Sequence, residues 1–309
     1  MKLEGVHHIT AITGRAQENV DFYAGTLGLR MVKKTVNQDD PSVYHLFYAD
    51  EQGSAGSDIT FFEYPDAAPG RAGDGMVHTI GWRVGSAEAL EFWSERLREA
   101  GAEVEPAHEE ERLAFGDPEG LRHELRVSTV PDQPLIADHP EIPREIALQG
   151  FDGVRAYSGR PEASRELFEQ ALAFEPIDEG WQARGASRGG TYVYDDPPAE
   201  RGVQGAGTVH HIAWASKMDE HQSWRERVIA AGARPTPAID RFYFRSVYFR
   251  EPSGVLFEIA TLGPGFTADE PLESLGEKLS LPPDYEHLRE QIEATVKPLT
   301  NPRTAAKSA

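Results

Sequence analysis

The sequence predicts an α+β chain of four tandem units, each a strand, an amphipathic helix and three short strands. Three observations carry this expectation. Two eight-residue stretches are near copies of each other, Gly5-Val6-His7-His8-Ile9-Thr10-Ala11-Ile12 and Gly207-Thr208-Val209-His210-His211-Ile212-Ala213-Trp214. Each sets a His-His pair in an apolar, β-branched run behind a glycine, which reads as an opening strand. The same order of elements follows each stretch and recurs twice between them. Proline-containing turns ending in glycine, Asp117-Pro118-Glu119-Gly120 and Glu251-Pro252-Ser253-Gly254, precede the last strands of two units.

In chain order, the first unit runs from a strand at Val6–Thr13 through a helix at Ala16–Leu27, where Val20, Phe22, Tyr23 and Leu27 recur at helical spacing, to strands near Met31–Val36, Val43–Tyr48 and Asp58–Tyr64. The second has Met76–Val84, a helix at Ala87–Ala100, and strands at Glu103–Glu105, Arg112–Phe115 and Leu121–Val127. A Pro-rich stretch from Val130 to Pro143 reads as a linker. The third unit has Gly150–Ser158, a helix at Pro161–Leu172, then Phe174–Ile177, Gly180–Arg184 and Thr191–Tyr194. The fourth has Thr208–Ala215, a helix at Glu220–Ala231, then Arg234–Ile239, Ser246–Arg250 and Val255–Ala260. The expected division is an N-terminal domain at 1–130, a linker at 131–146, a C-terminal domain at 147–264 and a tail at 265–309 with one helix near Tyr285–Thr295 and a frayed end.

Composition bounds the chemistry. The chain has 309 residues and no cysteine, which excludes disulfides, thiolate nucleophiles and thiolate-held metal clusters. A net charge of −20 opposes binding to nucleic acid or to an anionic membrane. Without a long apolar run, or room for a leader ahead of the first strand, a cytoplasmic protein is expected. The sequence leaves room for a homo-oligomer.

Strand alternation picks out three residues. His211 shares a face with Ala213 and Ala215, opposite the bulky face of Ile212 and Trp214, so it looks into a concavity. The same parity turns His8 and Thr10 inward and sends His7 and His210 the other way. Glu258 falls opposite the apolar face of Val255, Phe257 and Ile259, and a carboxylate in so apolar a strand needs a partner. A lone strand histidine is more often a core or surface residue than a ligand. Two pairs at equivalent repeat positions, with an acid on a core strand of one of those units, favour a metal site. Two imidazoles and a carboxylate on one side of an ion leave neighbouring positions open, as suits non-haem iron(II) that activates oxygen. Mn(II) or Co(II) would also fit. Glu63 as a fourth ligand depends on a register ambiguous by one residue, and Lys33-Lys34 reads as a solvated strand end. His45 and His78 read as structural.

Over nearly its whole length the chain resembles vicinal-oxygen-chelate proteins, in particular the ring-cleaving dioxygenases of hydroquinones, including chlorinated ones. The resemblance rests on Val6-His7-His8-Ile9-Thr10, Lys33-Lys34-Thr35, Tyr44-His45-Leu46-Phe47-Tyr48-Ala49-Asp50, Gly207-Thr208-Val209-His210-His211, Arg241, Tyr248, Gly254-Val255-Leu256-Phe257-Glu258 and Gly265-Phe266-Thr267. It implies two vicinal-oxygen-chelate domains with iron(II) on His8, His211 and Glu258, and extradiol-type cleavage of an aromatic diol by O2. It also implies Tyr248 as proton donor or hydrogen-bond anchor, Arg241 as partner of the second hydroxyl or of an anionic intermediate, and His7 near the substrate. Thr10 completes the expected catalytic set. Core packing for Tyr248 and a surface ion pair for Arg241 are the plainer readings. Competing functions are a glyoxalase-like metal-dependent isomerase or hydrolase, which a fourth protein ligand would favour, and a ligand-sequestering protein that needs only a pocket.

Overall fold

The structure is a computed structural model that describes residues 1–105 and 112–303; the expected frayed end at 304–309 lies outside the described residues. The first unit comprises β1 (Val6–Thr13), α1 (Ala16–Val20) widening into a π-helical turn at Asp21–Thr26, β2 (Arg30–Asn37), β3 (Asp40–Ala49) and β4 (Asp58–Glu63). The second comprises β5 (Val77–Val84), α2 (Ala87–Glu99), β6 (Val104–Glu105), β7 (Arg112–Gly116) and β8 (Arg122–Val127). Helix α2 shows why these segments fold locally. Ser86 caps its first turn by accepting from the Ala89 amide, and Ala89, Trp93 and Leu97, one turn apart, are its buried stripe.

The third unit comprises β9 (Phe151–Tyr157), β10 (Glu175–Ile177), β11 (Gly180–Arg184) and β12 (Gly189–Asp195). Its expected single helix is instead a 3₁₀ turn at Pro161–Ser164 and a π turn at Leu167–Ala171, the latter echoing the π turn of the first unit. The fourth comprises β13 (Val209–Ser216), α3 (His221–Ala230), β14 (Ile239–Asp240), β15 (Arg245–Arg250) and β16 (Leu256–Thr261). The strand expected at Arg234–Ile239 shrinks to the two residues of β14. Pro235 and Pro237 lack the N–H groups that a ladder requires.

The strands form two eight-stranded sheets, ordered β14-β15-β16-β13-β1-β4-β3-β2 and β10-β11-β12-β9-β5-β8-β7-β6. The outer units thus share one sheet and the inner units the other. At the centre of the first sheet β1 runs antiparallel to β13, and at the centre of the second β5 runs antiparallel to β9. In the second sheet Thr79 and Gly153 stand where the first has His8 and His211, as unit superposition predicts. Trp82, Trp93, Trp214 and Trp224 are all fully buried between helices and sheets. No helix among the described residues is long and apolar enough to cross a membrane.

Beyond β16 the chain leaves the fourth unit and crosses the first. Ser280 donates its amide to the Lys34 carbonyl at 2.9 Å, Tyr285 donates its hydroxyl to the Gln38 carbonyl at 2.7 Å, and α4 (Arg289–Thr295) packs beside β3. Lys33 is no solvated strand end. Its side chain is fully buried, and its ammonium donates to the Phe266 carbonyl at 3.2 Å, to Asp269 at 2.7 Å and to Glu270. Only contacts made more than 230 residues downstream allow a lysine there.

Candidate metal centre

β1, β13 and β16 lie side by side, and each contributes one side chain to a point inside the first sheet. His8 Nε2 lies 3.2 Å and His211 Nε2 2.9 Å from one Glu258 carboxylate oxygen, and the two Nε2 atoms are 3.3 Å apart. Three donors about 2.1 Å from one ion stand about 3.0 Å apart on an octahedral face and about 3.4 Å apart on a tetrahedral one. The observed separations are of that size. All three residues are buried, and neither Glu258 oxygen has a well-formed hydrogen bond. Burial favours the neutral acid, but the two imidazoles outweigh it and hold Glu258 well below the usual carboxylate range. A buried carboxylate flanked by imidazole nitrogens is compatible with a divalent metal ion. Among the described residues this cluster has three members, and Glu63, at the far end of β4, is not one of them.

Strict alternation fails at both His-His pairs. The β1–β13 ladder shifts register between Val6 and Ile9 and again at Thr10–Ala11, opposite His210, so bulges bring the paired imidazoles together instead of sending them apart. His7 and His8 approach through their Nδ1 atoms at 2.9 Å, and His210 and His211 do the same at 2.8 Å. The first pair fixes its own tautomer. His7 Nε2 is 3.0 Å from the Thr261 carbonyl, which can only accept, so that nitrogen carries the proton. Burial and the neighbouring His8 push the His7 pKa down to about 3, so the ring is neutral and its Nδ1 is bare. His8 must therefore donate from Nδ1, and its Nε2 faces the cluster. His210 is exposed and leaves the orientation of its partner to solvent as well as to itself.

Above the cluster opens a cavity with about 450 Å³ of empty space, walled by Phe47, Phe62, Tyr243 and Phe244. Thr10 lines it and shares a 2.8 Å hydrogen bond with Thr60. Tyr248 lines it too, directly across the β15–β16 ladder from Glu258 and 5.6 Å from the His211 ring; burial and the Glu258 charge raise its pKa, so the phenol keeps its proton. Arg241 stands at the rim and donates both terminal nitrogens to Asp39 at 3.1 and 2.9 Å. His7 does not line the cavity; it lies behind His8. The sequence read His45 as structural and gave Thr35 no role; the structure places both in this cavity. Their signal was parity: His45 shares its strand face with Phe47, and Thr35 pairs with His45 across β2–β3.

A family model described as "Glyoxalase/Bleomycin resistance protein/Dioxygenase superfamily" matches the chain twice, over residues 5–125 and 150–259. The chain belongs to this superfamily. Both matched segments carry the vicinal-oxygen-chelate fold expected from the repeats. Within the superfamily the chain is 42% identical over 304 residues to ring-cleaving dioxygenase MhqO of Bacillus subtilis (strain 168), whose name gives that activity as an inference; 96% of this chain and 97% of that one are covered. It is 32% identical over 311 residues to the chlorohydroquinone/hydroquinone 1,2-dioxygenase of Sphingobium indicum, with 96% of each covered. A solved Bacillus subtilis structure described as a dioxygenase by inference superposes with a TM-score of 0.90 at 40% identity, covering 97% of this chain and 98% of that one. Maize glyoxalase I, at 13% identity and a TM-score of 0.57 over 85% of this chain and 93% of that one, shares the fold alone. The named relatives support a ring-cleaving dioxygenase.

Proposed function

We infer that the protein is an iron(II)-dependent, extradiol-type ring-cleaving dioxygenase that inserts both atoms of O2 into a hydroquinone-like aromatic diol, substituted or chlorinated ring included. The observation that carries this reading is the three-donor face of His8, His211 and Glu258 beneath an aromatic-walled cavity. The relatives named for hydroquinone cleavage support the substrate class. When bound by these residues, a divalent ion would favour the ionised hydroxyl and hold diol and O2 together.

The chain's own residues supply the rest. Phe47, Phe62 and Phe244 give the cavity apolar walls suited to a flat ring. Tyr248, protonated and beside His211, is placed to donate a hydrogen bond or a proton to a substrate oxygen in the cavity. Arg241 adds positive charge next to Tyr248, its Nε lying 3.4 Å from the phenol oxygen. Thr10 fixes the floor through Thr60. His7 acts through His8 as a positioning residue.

The test is metal analysis and oxygen uptake on one sample. Anaerobic loading with iron(II) is expected to give oxygen consumption with hydroquinone, and His8→Ala, His211→Ala and Glu258→Ala each to lose metal and activity together. Full activity in any of the three variants refutes the assignment. Isomerase activity without oxygen uptake would favour the glyoxalase-like alternative.

A further inference from the structure

Arg241, which the sequence offers as a partner for the second hydroxyl, already has both terminal nitrogens engaged by Asp39. Two other polar groups face the cavity without that commitment. His45 is wedged between Phe47 and Phe62, ring centroids 4.0 and 4.4 Å away. Its Nε2 is tied to Thr60 Oγ1 at 2.9 Å, and its Nδ1 has no hydrogen bond to any described residue. Thr35, directly opposite His45 on β2, is buried, and its Oγ1 also lacks a partner among the described residues. The buried Thr35 hydroxyl is costly unless a ligand meets it, and the open Nδ1 of His45 lies across the ladder from it.

Their position sets what that ligand is. Along the intervening β4, His8 on β1 pairs with Asp58 and His45 on β3 with Phe62, so the two histidines stand two strands apart across the sheet and four residues apart along it, and both line the cavity. Phe62 lines the cavity between them, its ring 6.4 Å from that of His211. An aromatic ring lying in that cavity with one oxygen at the cluster presents its far edge to His45. A 1,4-diol has its second hydroxyl at that edge. A 1,2-diol has both at the near end.

We propose that His45, supported by Thr35, takes the hydrogen bond of the substrate's second hydroxyl and so selects diols whose hydroxyls lie at opposite ends of the ring. This rests on the ring-cleaving reading of the same cavity. The side chain is held to the task by its neighbours: Thr60 Oγ1 bonds both His45 and Thr10, and the chain His45–Thr60–Thr10 can point its protons either way, so Nδ1 can accept from a hydroxyl or donate to a phenolate. His45 is a specificity-determining residue, not a metal ligand.

Anaerobic calorimetric titration of the iron(II)-loaded protein with hydroquinone and with phenol, which lacks only the second hydroxyl, tests this. Wild type is expected to bind hydroquinone about tenfold more tightly than phenol, the size of one neutral hydrogen bond. His45→Phe brings the ratio to about one with phenol affinity unchanged, and Thr35→Val lowers it by a few fold. His45→Leu replaces the Phe variant if that fails to fold. A ratio kept intact in the folded His45 variant, or no discrimination by wild type, overturns the proposal. A protein that discriminates in this way yet consumes no oxygen loses the dioxygenase reading and keeps this one.

Discussion

The pair His7–His8, buried in both rings, and the pair His210–His211, whose outer ring is exposed, make the same Nδ1 contact, so replacing the outer ring of each compares burial at constant chemistry. In His7→Phe the His8 Nδ1–H is left without an acceptor at a residue that is 2% exposed, and the Thr261 carbonyl loses its donor. Leaving one buried donor unsatisfied costs about 1–3 kcal/mol, and the His8 ring becomes free to turn its protonated nitrogen toward the cluster. The expected loss in metal affinity is about 10–100-fold, the range found when the outer partner of a ligating histidine is removed. In His210→Phe water can replace the lost ring, because His210 is exposed, and the loss should stay within a few fold. Competitive chelator titration with Co(II) or Fe(II) reads both numbers. Equal losses in the two variants, or a larger loss for His210→Phe, would refute the tautomer argument.

Three further outcomes are expected. Lys33→Met removes a fully buried cation and strands the Glu270 carboxylate, a change worth about 3–5 kcal/mol. For 309 residues unfolding entropy is about 0.65 kcal/mol per kelvin, so Tm should fall about 5–8 °C; scanning calorimetry showing less than about 1 °C would contradict the clamp. Asp58 is buried with both oxygens partnerless, and burial raises its pKa to about 8 from 3.8. The unfolded chain ionises first, so this group's contribution is most favourable below about pH 4, erodes as pH rises and levels off above about 8. Asp58→Asn should therefore gain stability over wild type progressively across that window in metal-free protein, and a pH-independent difference in denaturant midpoints would dismiss it. Tyr248→Phe is expected to lower kcat by about 10²-fold with metal content unchanged, and unaltered turnover would remove the phenol from the chemistry.

What the sequence disclosed was what local periodicity encodes. The four units, the inward faces of His8, His211 and Glu258, and the meeting of the first and fourth units follow from alternation and self-similarity. The bulges do not, because an extra residue in a ladder is defined by the partner strand, and β1 meets β13 across 203 residues between His8 and His211. Lys33 looked solvated for the same reason: its counter-charges at Asp269 and Glu270 lie in a segment with no periodicity of its own. His45 read as structural because its strand mates Phe47 and Leu46 describe a plain core strand until Thr60 and Thr35 are set beside it.

Pairing the outer units with each other also fixes when the cluster can first exist during synthesis. A ribosome that has released the inner units has already delivered all eight strands of the second sheet, while half of the first sheet is unmade. His8 must then wait, its neighbour Glu258 and the Thr261 carbonyl that accepts from His7 still untranslated, until β16 emerges. The three donors can thus meet only once Glu258 has been made, and a product terminated before it, however well its inner sheet folds, lacks the third of them.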